Sequence, residues 1–160
     1  MSDLAAERAD WSTDGCSIAA TLDLVGARST MLLMREASLG TTRFSDFAVR
    51  AQLSEPMTAR RLKDLVASGL LERHTYREPG SRGRDEYRLT AKGRDLVPAL
   101  MALRQWGDRY ASPEAGPTLA VDHADCGAPV QVELRCTEGH RVGPGEVEVS
   151  PGPGLVRTAS

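Results

Sequence analysis

The chain has 160 residues with 41% hydrophobic content, enough for one ordinary domain with a core and an appendage. No apolar run approaches the ~20 residues of a membrane span, no basic-then-apolar leader opens the chain, and three cysteines are an odd number for a disulfide framework. A cytoplasmic protein with no membrane partner is therefore expected. The net charge of −2 hides a basic centre: residues 28–94 hold 14 Lys/Arg against 8 Asp/Glu, while the flanks 1–27 and 95–160 each carry −4. Local charge decides whether a face can displace counterions from phosphates.

Residues 1–15 are acidic and polar and read as a loose start. Ile18, Leu22 and Val25 fall at i, i+4 and i+7, which predicts a helix over Ser17–Val25 ended by Gly26. Ser29–Leu39 is apolar nearly all round and predicts the buried central helix, stopped by Gly40. Thr42–Phe44 reads as a short strand. Ser45 is placed to cap a third helix, Asp46–Arg50, with Asp46 at its positive end. Ala51-Gln52-Leu53 is then the turn into the next element.

That element begins at Ser54, whose hydroxyl can accept from a first-turn amide, and Pro56 follows where a missing N–H costs little. Met57, Leu62, Leu65 and Val66 give it an apolar side, and Gly69 can end it in the left-handed conformation. The other side carries Thr58, Arg60, Arg61 and Lys63. Leu70–Arg77 reads as a strand, Glu78–Arg84 as a turn and Asp85–Leu89 as the returning strand. A basic helix followed by an arginine-tipped hairpin is how a winged helix-turn-helix meets DNA. On this reading Ser54, Thr58, Arg60, Arg61 and Lys63 face the major groove. Arg82 and Arg84 reach backbone or minor groove from the wing tip, and Arg43 suits a phosphate. The plain alternative for any one arginine is a surface ion pair.

After the hairpin, Thr90 is placed to cap a long helix to about Tyr110, bent by Pro98. Leu96, Leu100, Leu103 and Tyr110, widened by Val97, Met101 and Trp106, form a stripe that predicts a dimerisation helix, or else one folded back on its own domain. Residues 111–118 read as a linker, 119–150 as a small β extension with strands in Val130–Leu134 and Val147–Val149, and 151–160 as a flexible tail. The fold class is α+β, mainly helical: a winged-helix DNA-binding and dimerisation domain over 16–110 with a β-rich C-terminal extension. No cofactor is required. His123-x-x-Cys126 with Cys136-x-x-x-His140 matches a structural zinc site in ligand type and count, the alternative being an unmetallated extension. No nucleophile elbow, phosphate-binding glycine loop or carboxylate cluster points to an enzyme.

Cys16 ahead of TLDLVGARSTMLLMRE, the G-x-x-RFSDF run Gly40–Phe47, LSEPMTARRLKDLVASGLLER, Tyr87-Arg88-Leu89-Thr90-x-x-Gly93 and Trp106 occur in that order. In these pieces the chain resembles the HxlR-type winged-helix transcriptional regulators of bacteria. The resemblance implies a homodimer that binds operator DNA and represses or activates nearby genes. Where the family usually has Trp after the Gly-x-Arg/Lys of its second helix, this chain has Ser29. Some members sense oxidants or electrophiles through a cysteine at the position of Cys16. A helix N-terminus favours the thiolate, but the acidic flank of Asp10, Asp14 and Asp23 opposes it, so a structural cysteine is the other reading. The expected function is a sequence-specific regulator binding double-stranded operator DNA, a repressor relieved by a small-molecule or redox signal. The alternative is a winged-helix interaction or ligand-sequestering module without DNA binding.

Overall fold

Leu33, Met34, Phe47, Leu62, Leu65 and Leu71, each no more than 1% exposed, are the side chains around which the chain closes. They come from four segments, so burying them brings those segments together. The structure is a computed structural model that describes residues 11–12, 14–76 and 84–157. Its helices are α1 (Ser17–Val25), α2 (Arg28–Ser38), α3 (Phe44–Ala51) and α4 (Glu55–Ala67). The antiparallel hairpin β1 (Leu71–Tyr76) and β2 (Arg84–Leu89) follows, then α5 (Ala91–Asp95) and α6 (Val97–Tyr110). This is the expected α+β, mainly helical winged helix-turn-helix.

As its apolar sequence predicts, α2 is the central helix and touches α1, α3, α4, β2 and α6. It also buries a charge. The Glu36 side chain is 7% exposed and accepts from Arg35 Nε at 3.0 Å, Arg35 Nη2 at 2.7 Å and the Thr41 hydroxyl at 3.2 Å. Arg35 Nη2 also donates to the Arg50 carbonyl at 3.2 Å, and Arg50 Nη1 to Thr41 Oγ1 at 3.2 Å. A carboxylate so surrounded is tolerated where an unpaired one would cost several kcal/mol, and the network ties α2 to the end of α3.

Thr42–Phe44 contributes one bridge rather than a full strand: Arg43 pairs with Glu86, and the Tyr87 amide donates to the Thr42 carbonyl at 2.8 Å. The third helix starts earlier than expected, with Arg43 at the N-cap. Ser45 therefore lies inside the first turn, and its hydroxyl contacts Asp46 Oδ1 at 3.3 Å instead of capping. Bridge formation by Arg43 fixes an extended residue there, and the helix begins at the next one. The hairpin register pairs Leu71 with Leu89 through to Tyr76 with Arg84.

Thr90 caps α5 as expected, its Oγ1 accepting from the Gly93 amide at 3.1 Å. The long helix is divided, however. It breaks at Leu96, and Pro98 sits in the first turn of the second piece, not in the interior of a bent rod. Pro98 has no N–H for the Arg94 carbonyl and its ring would collide with it, so breaking two residues earlier removes both penalties. Gly93 is buried against β1, where a Cβ would run into the Leu70 carbonyl. No larger residue fits there without movement.

The extension differs most from expectation. Val130–Leu134 and Val147–Val149 are not ladders; the described residues hold isolated bridges, Asp122 with Pro129 and Arg135 with Arg141, and a 3₁₀ turn at Pro144–Glu146. Leu134 is 60% exposed, and Val147 and Val149 are also exposed, so alternation has no second layer to bury it. The tail also differs, because residues 151–157 return to the N-terminal segment. Trp11 pairs with Arg157, and the Ser12 amide donates to the Val156 carbonyl at 3.0 Å. Backbone groups make this contact, which side-chain polarity does not predict.

Candidate nucleic-acid interface

The helix-turn-helix is α3, a three-residue turn and α4. Gln52 takes the left-handed conformation, φ 53°, and lets the Leu53 amide reach the Ala48 carbonyl at 3.0 Å. Ser54 then caps α4, its Oγ accepting from the Met57 amide at 3.4 Å, with Pro56 in the first turn as expected. Gly69, φ 72°, ends the segment in the region glycine favours. The hairpin wing follows directly.

The exposed side of α4 carries Arg60 and Lys63, one turn apart, with the Ser54 hydroxyl at the start of the helix. Neither cation makes an ion pair or side-chain hydrogen bond among the described residues, and the same holds for exposed Arg43 at the α3 N-cap. Two expected readers are elsewhere. Thr58 is fully buried (0% exposed), with its hydroxyl donating to the Ser54 carbonyl at 3.0 Å. The buried face is therefore Thr58, Leu62 and Leu65, at i, i+4 and i+7; the back-bonded hydroxyl leaves no orphan donor in the core. Arg61 is half-buried and turns toward α2, with Nε donating to Ser29 Oγ at 3.1 Å and Nη1 3.5 Å from Asp64 Oδ2. Ser29, standing where the family usually has Trp, is thus the partner of an inward arginine.

Met57 takes the place expected of Thr58. It is exposed on the same side as Arg60 and Lys63, at i, i+3 and i+6. An apolar side chain there suits a thymine methyl, and that spacing was the signal that could have found it. On the wing, Arg73 lies 3.5 Å from Asp85 and Arg88 2.9 Å from Glu86, so these cations are paired. Tyr87 packs edge-on to Phe47, and burial, then the Asp85 charge, hold its phenol above the ordinary tyrosine range, with Arg73 opposing. Arg82 lies outside the described residues, and Arg84 is described only through its backbone pairing with Tyr76.

Cys16 occupies the N-cap of α1, half-buried beside the returning tail. The four expected zinc ligands are not brought together among the described residues. His123 Nδ1 lies 3.2 Å from Cys126 Sγ, but no group of three or more His, Cys, Asp or Glu able to hold a metal forms among the described residues. The Cys136 amide bonds the His140 carbonyl at 3.1 Å in a second local turn, and the two turns lie at opposite ends of the shared segment 128–135. No single helix among the described residues is long and apolar enough to cross a membrane.

The chain is 39% identical over 143 residues to the uncharacterized HTH-type transcriptional regulator Mb3122 of Mycobacterium bovis, covering 89% of each protein. It is 30% identical over 105 residues to the HTH-type regulator YdeP of Bacillus subtilis, covering 63% of this chain and 80% of that one. The fold matches the crystal structure of PA1607, a proposed transcription factor, with TM-score 0.75 and 34% identity over 86% of this chain and 95% of that one. It also matches the redox regulator HypR in its oxidized form, with TM-score 0.55 and 27% identity over 61% of this chain and all of that one. Residues 24–115, from the end of α1 through the whole winged helix to just past α6, match the HxlR-like helix-turn-helix description. The chain belongs to the HxlR-like helix-turn-helix family of transcriptional regulators.

Proposed function

We propose that the chain is a homodimeric, sequence-specific regulator that binds double-stranded operator DNA in the cytoplasm and represses transcription until a small-molecule or redox signal releases it. The observation that carries the reading is the exposed side of α4. Arg60 and Lys63 are exposed there and make no ion pair or side-chain hydrogen bond among the described residues, next to a capped turn and a wing, in the place where a recognition helix enters the major groove. Arginine donates two hydrogen bonds to one guanine, Ser54 serves a phosphate or base, and Arg43 holds a phosphate from α3. Arg82 and Arg84 anchor the wing to the backbone or minor groove.

The dimer reading rests on apolar side chains that one domain leaves open. Ile18, Leu22 and Leu24 of α1 are 71%, 58% and 49% exposed, and Trp106 and Tyr110 of α6 meet at a tilt, 5.4 Å between ring centroids, while remaining exposed. Two such helices meeting across a two-fold axis would cover both faces and space two α4 helices for paired half-sites. For the signal, the half-buried Cys16 thiol at the α1 N-cap supports a redox input, since the structurally similar HypR is a redox regulator.

The test is selection of bound sequences from random duplexes, then titration of the selected site and a random duplex across a salt series. A palindromic site bound as a dimer is expected, with affinity falling steeply as salt rises. Equal, weak affinity for every duplex would leave only the interaction-module reading.

A further inference from the structure

A hollow of about 330 Å³ lies between α2, α6 and the chain just after α6. Its apolar wall is built by Leu32 of α2 and Leu39 at its C-cap, Leu100 and Leu103 of α6, and Leu119 and Val121 beyond them. Two guanidiniums also line it. Arg35 uses Nε and Nη2 for Glu36 and the Arg50 carbonyl. Arg104 uses Nη2 for Asp108 Oδ2, at 3.1 Å, and for the Leu119 carbonyl at 2.5 Å. The Nη1 group of each makes no hydrogen bond among the described residues. Asp108 also lines the hollow, but its charge is already met by Arg104.

We infer that this hollow is a binding site for a small apolar monocarboxylate, whose hydrocarbon body fills the apolar wall and whose carboxylate meets Nη1 of Arg35 and Arg104. The volume is at the lower end for small-molecule sites, which take a mostly apolar body fixed by a few polar groups. A carboxylate supplies acceptors for guanidinium donors that are already held in place by Glu36, Asp108 and the Leu119 carbonyl. The Arg104 bond to Leu119 also ties the lining residues just after α6 back to that helix.

The regulatory consequence rests on the reading of the chain as a DNA-binding regulator. Helix α2 is one wall of the hollow and touches α4, and Ser29 of α2 bonds Arg61 of α4. A ligand that spaces α2 from α6 therefore acts on the helix carrying Arg60 and Lys63. Ligand and DNA then affect one another's affinity by the same factor.

The experiment is calorimetric titration of the full chain with 2-naphthoate and with the neutral 2-naphthamide. Saturable binding of one naphthoate per chain is expected, with the amide weaker by about tenfold, the usual scale of one charge-assisted hydrogen bond. Arg104→Gln should remove that preference while leaving amide binding intact. Leu119→Trp, at a position 44% exposed and so tolerant of bulk, should fill the hollow and abolish both. Unfolding midpoints are measured for each variant, and if Leu119→Trp unfolds it is replaced by Leu39→Trp, which fills the same hollow from the C-cap of α2. The inference is overturned by no binding at millimolar naphthoate, by equal binding of acid and amide, or by binding that every filling variant leaves untouched. It is also overturned if naphthoate binds only by dissociating a dimer, because the hollow is then a seat for the second copy. Failure of the DNA reading has a different signature: naphthoate binds as expected while no duplex is retained.

Discussion

The winged helix and the extension carry the same kinds of residues and use them differently. Between Val25 and Leu100 apolar residues recur at helical spacing and meet one another; Leu33, Met34, Phe47 and Leu62 are wholly enclosed. Between Leu119 and Val156 alternation is just as plain, but Leu119, Val130, Leu134, Val147 and Val149 remain exposed. The first region has α2, α3, α4, a hairpin and the start of α6 to close over a common centre. Among the described residues, the second holds isolated bridges and one 3₁₀ turn, which leave these side chains uncovered. Periodicity tells which face is apolar; burial depends on whether another element exists to cover it.

Core deletion should break that comparison most sharply. Phe47→Ala removes a fully enclosed ring that also meets Tyr87 edge-on at 6.2 Å between centroids, and should cost about 3–5 kcal/mol. Leu134→Ala, at a residue 60% exposed, should stay within about 0.5 kcal/mol of the parent. Urea unfolding measures both. A loss of several kcal/mol at Leu134 would mean that the extension buries it against something, a second copy being the first to examine.

Gly93→Ala comes next. The added methyl meets the Leu70 carbonyl, so β1 and α5 must separate, at a cost of roughly 1–3 kcal/mol. Unfolding midpoints unchanged by this substitution would show that the wing and α5 pack less tightly than the structure has them.

Much of the first region was legible from residues alone. The Ser54 cap, the extents of α1 and α4, the hairpin and the central place of α2 all follow from capping, periodicity and turn chemistry. What escaped was chosen by tertiary contact. Hydrophobicity ranks Met57 above Thr58 for the core, yet helical phase with Leu62 and Leu65 selects Thr58, and the Ser54 carbonyl satisfies its hydroxyl. Arg61 looks like its neighbour Arg60 in sequence, but Ser29 leaves it a hydroxyl to reach. In the extension, Cys and His had the right number and kind for zinc, but spacing does not say at which end of a segment each turn lies.

The Thr58–Arg60 pair turns that lesson into a binding prediction. Arg60→Ala should weaken the selected site by ~1–3 kcal/mol and random duplex far less, narrowing the specificity ratio. Thr58→Ser deletes one buried methyl and should lower stability by about 1 kcal/mol while leaving the ratio unchanged. Titration of both variants against both duplexes separates the roles. If Thr58→Ser alters base preference and Arg60→Ala does not, the phase of α4 on DNA is reversed.

Removing the whole extension should also have only a modest effect. Among the described contacts that hold it to α6 are the Arg104 bond to the Leu119 carbonyl and the Val132 amide bond to Gln105 Oε1, 2.9 Å long. Both are exposed, and such bonds contribute net about 1 kcal/mol each at most. Truncation after Ala111 also removes the backbone pairing of the tail with Ser12, but leaves α4 and the wing whole. The truncated chain should therefore lose no more than about 2 kcal/mol of stability, and keep the selected site within about tenfold, since everything after Arg94 carries −4 and repels phosphate. It should at the same time lose naphthoate binding, because Leu119 and Val121 are gone. A hundred-fold loss of operator binding with a drop in sedimentation mass would place the extension in the dimer. The two regions would then be one folding unit, with the exposed valines and leucines covered only in the assembled pair.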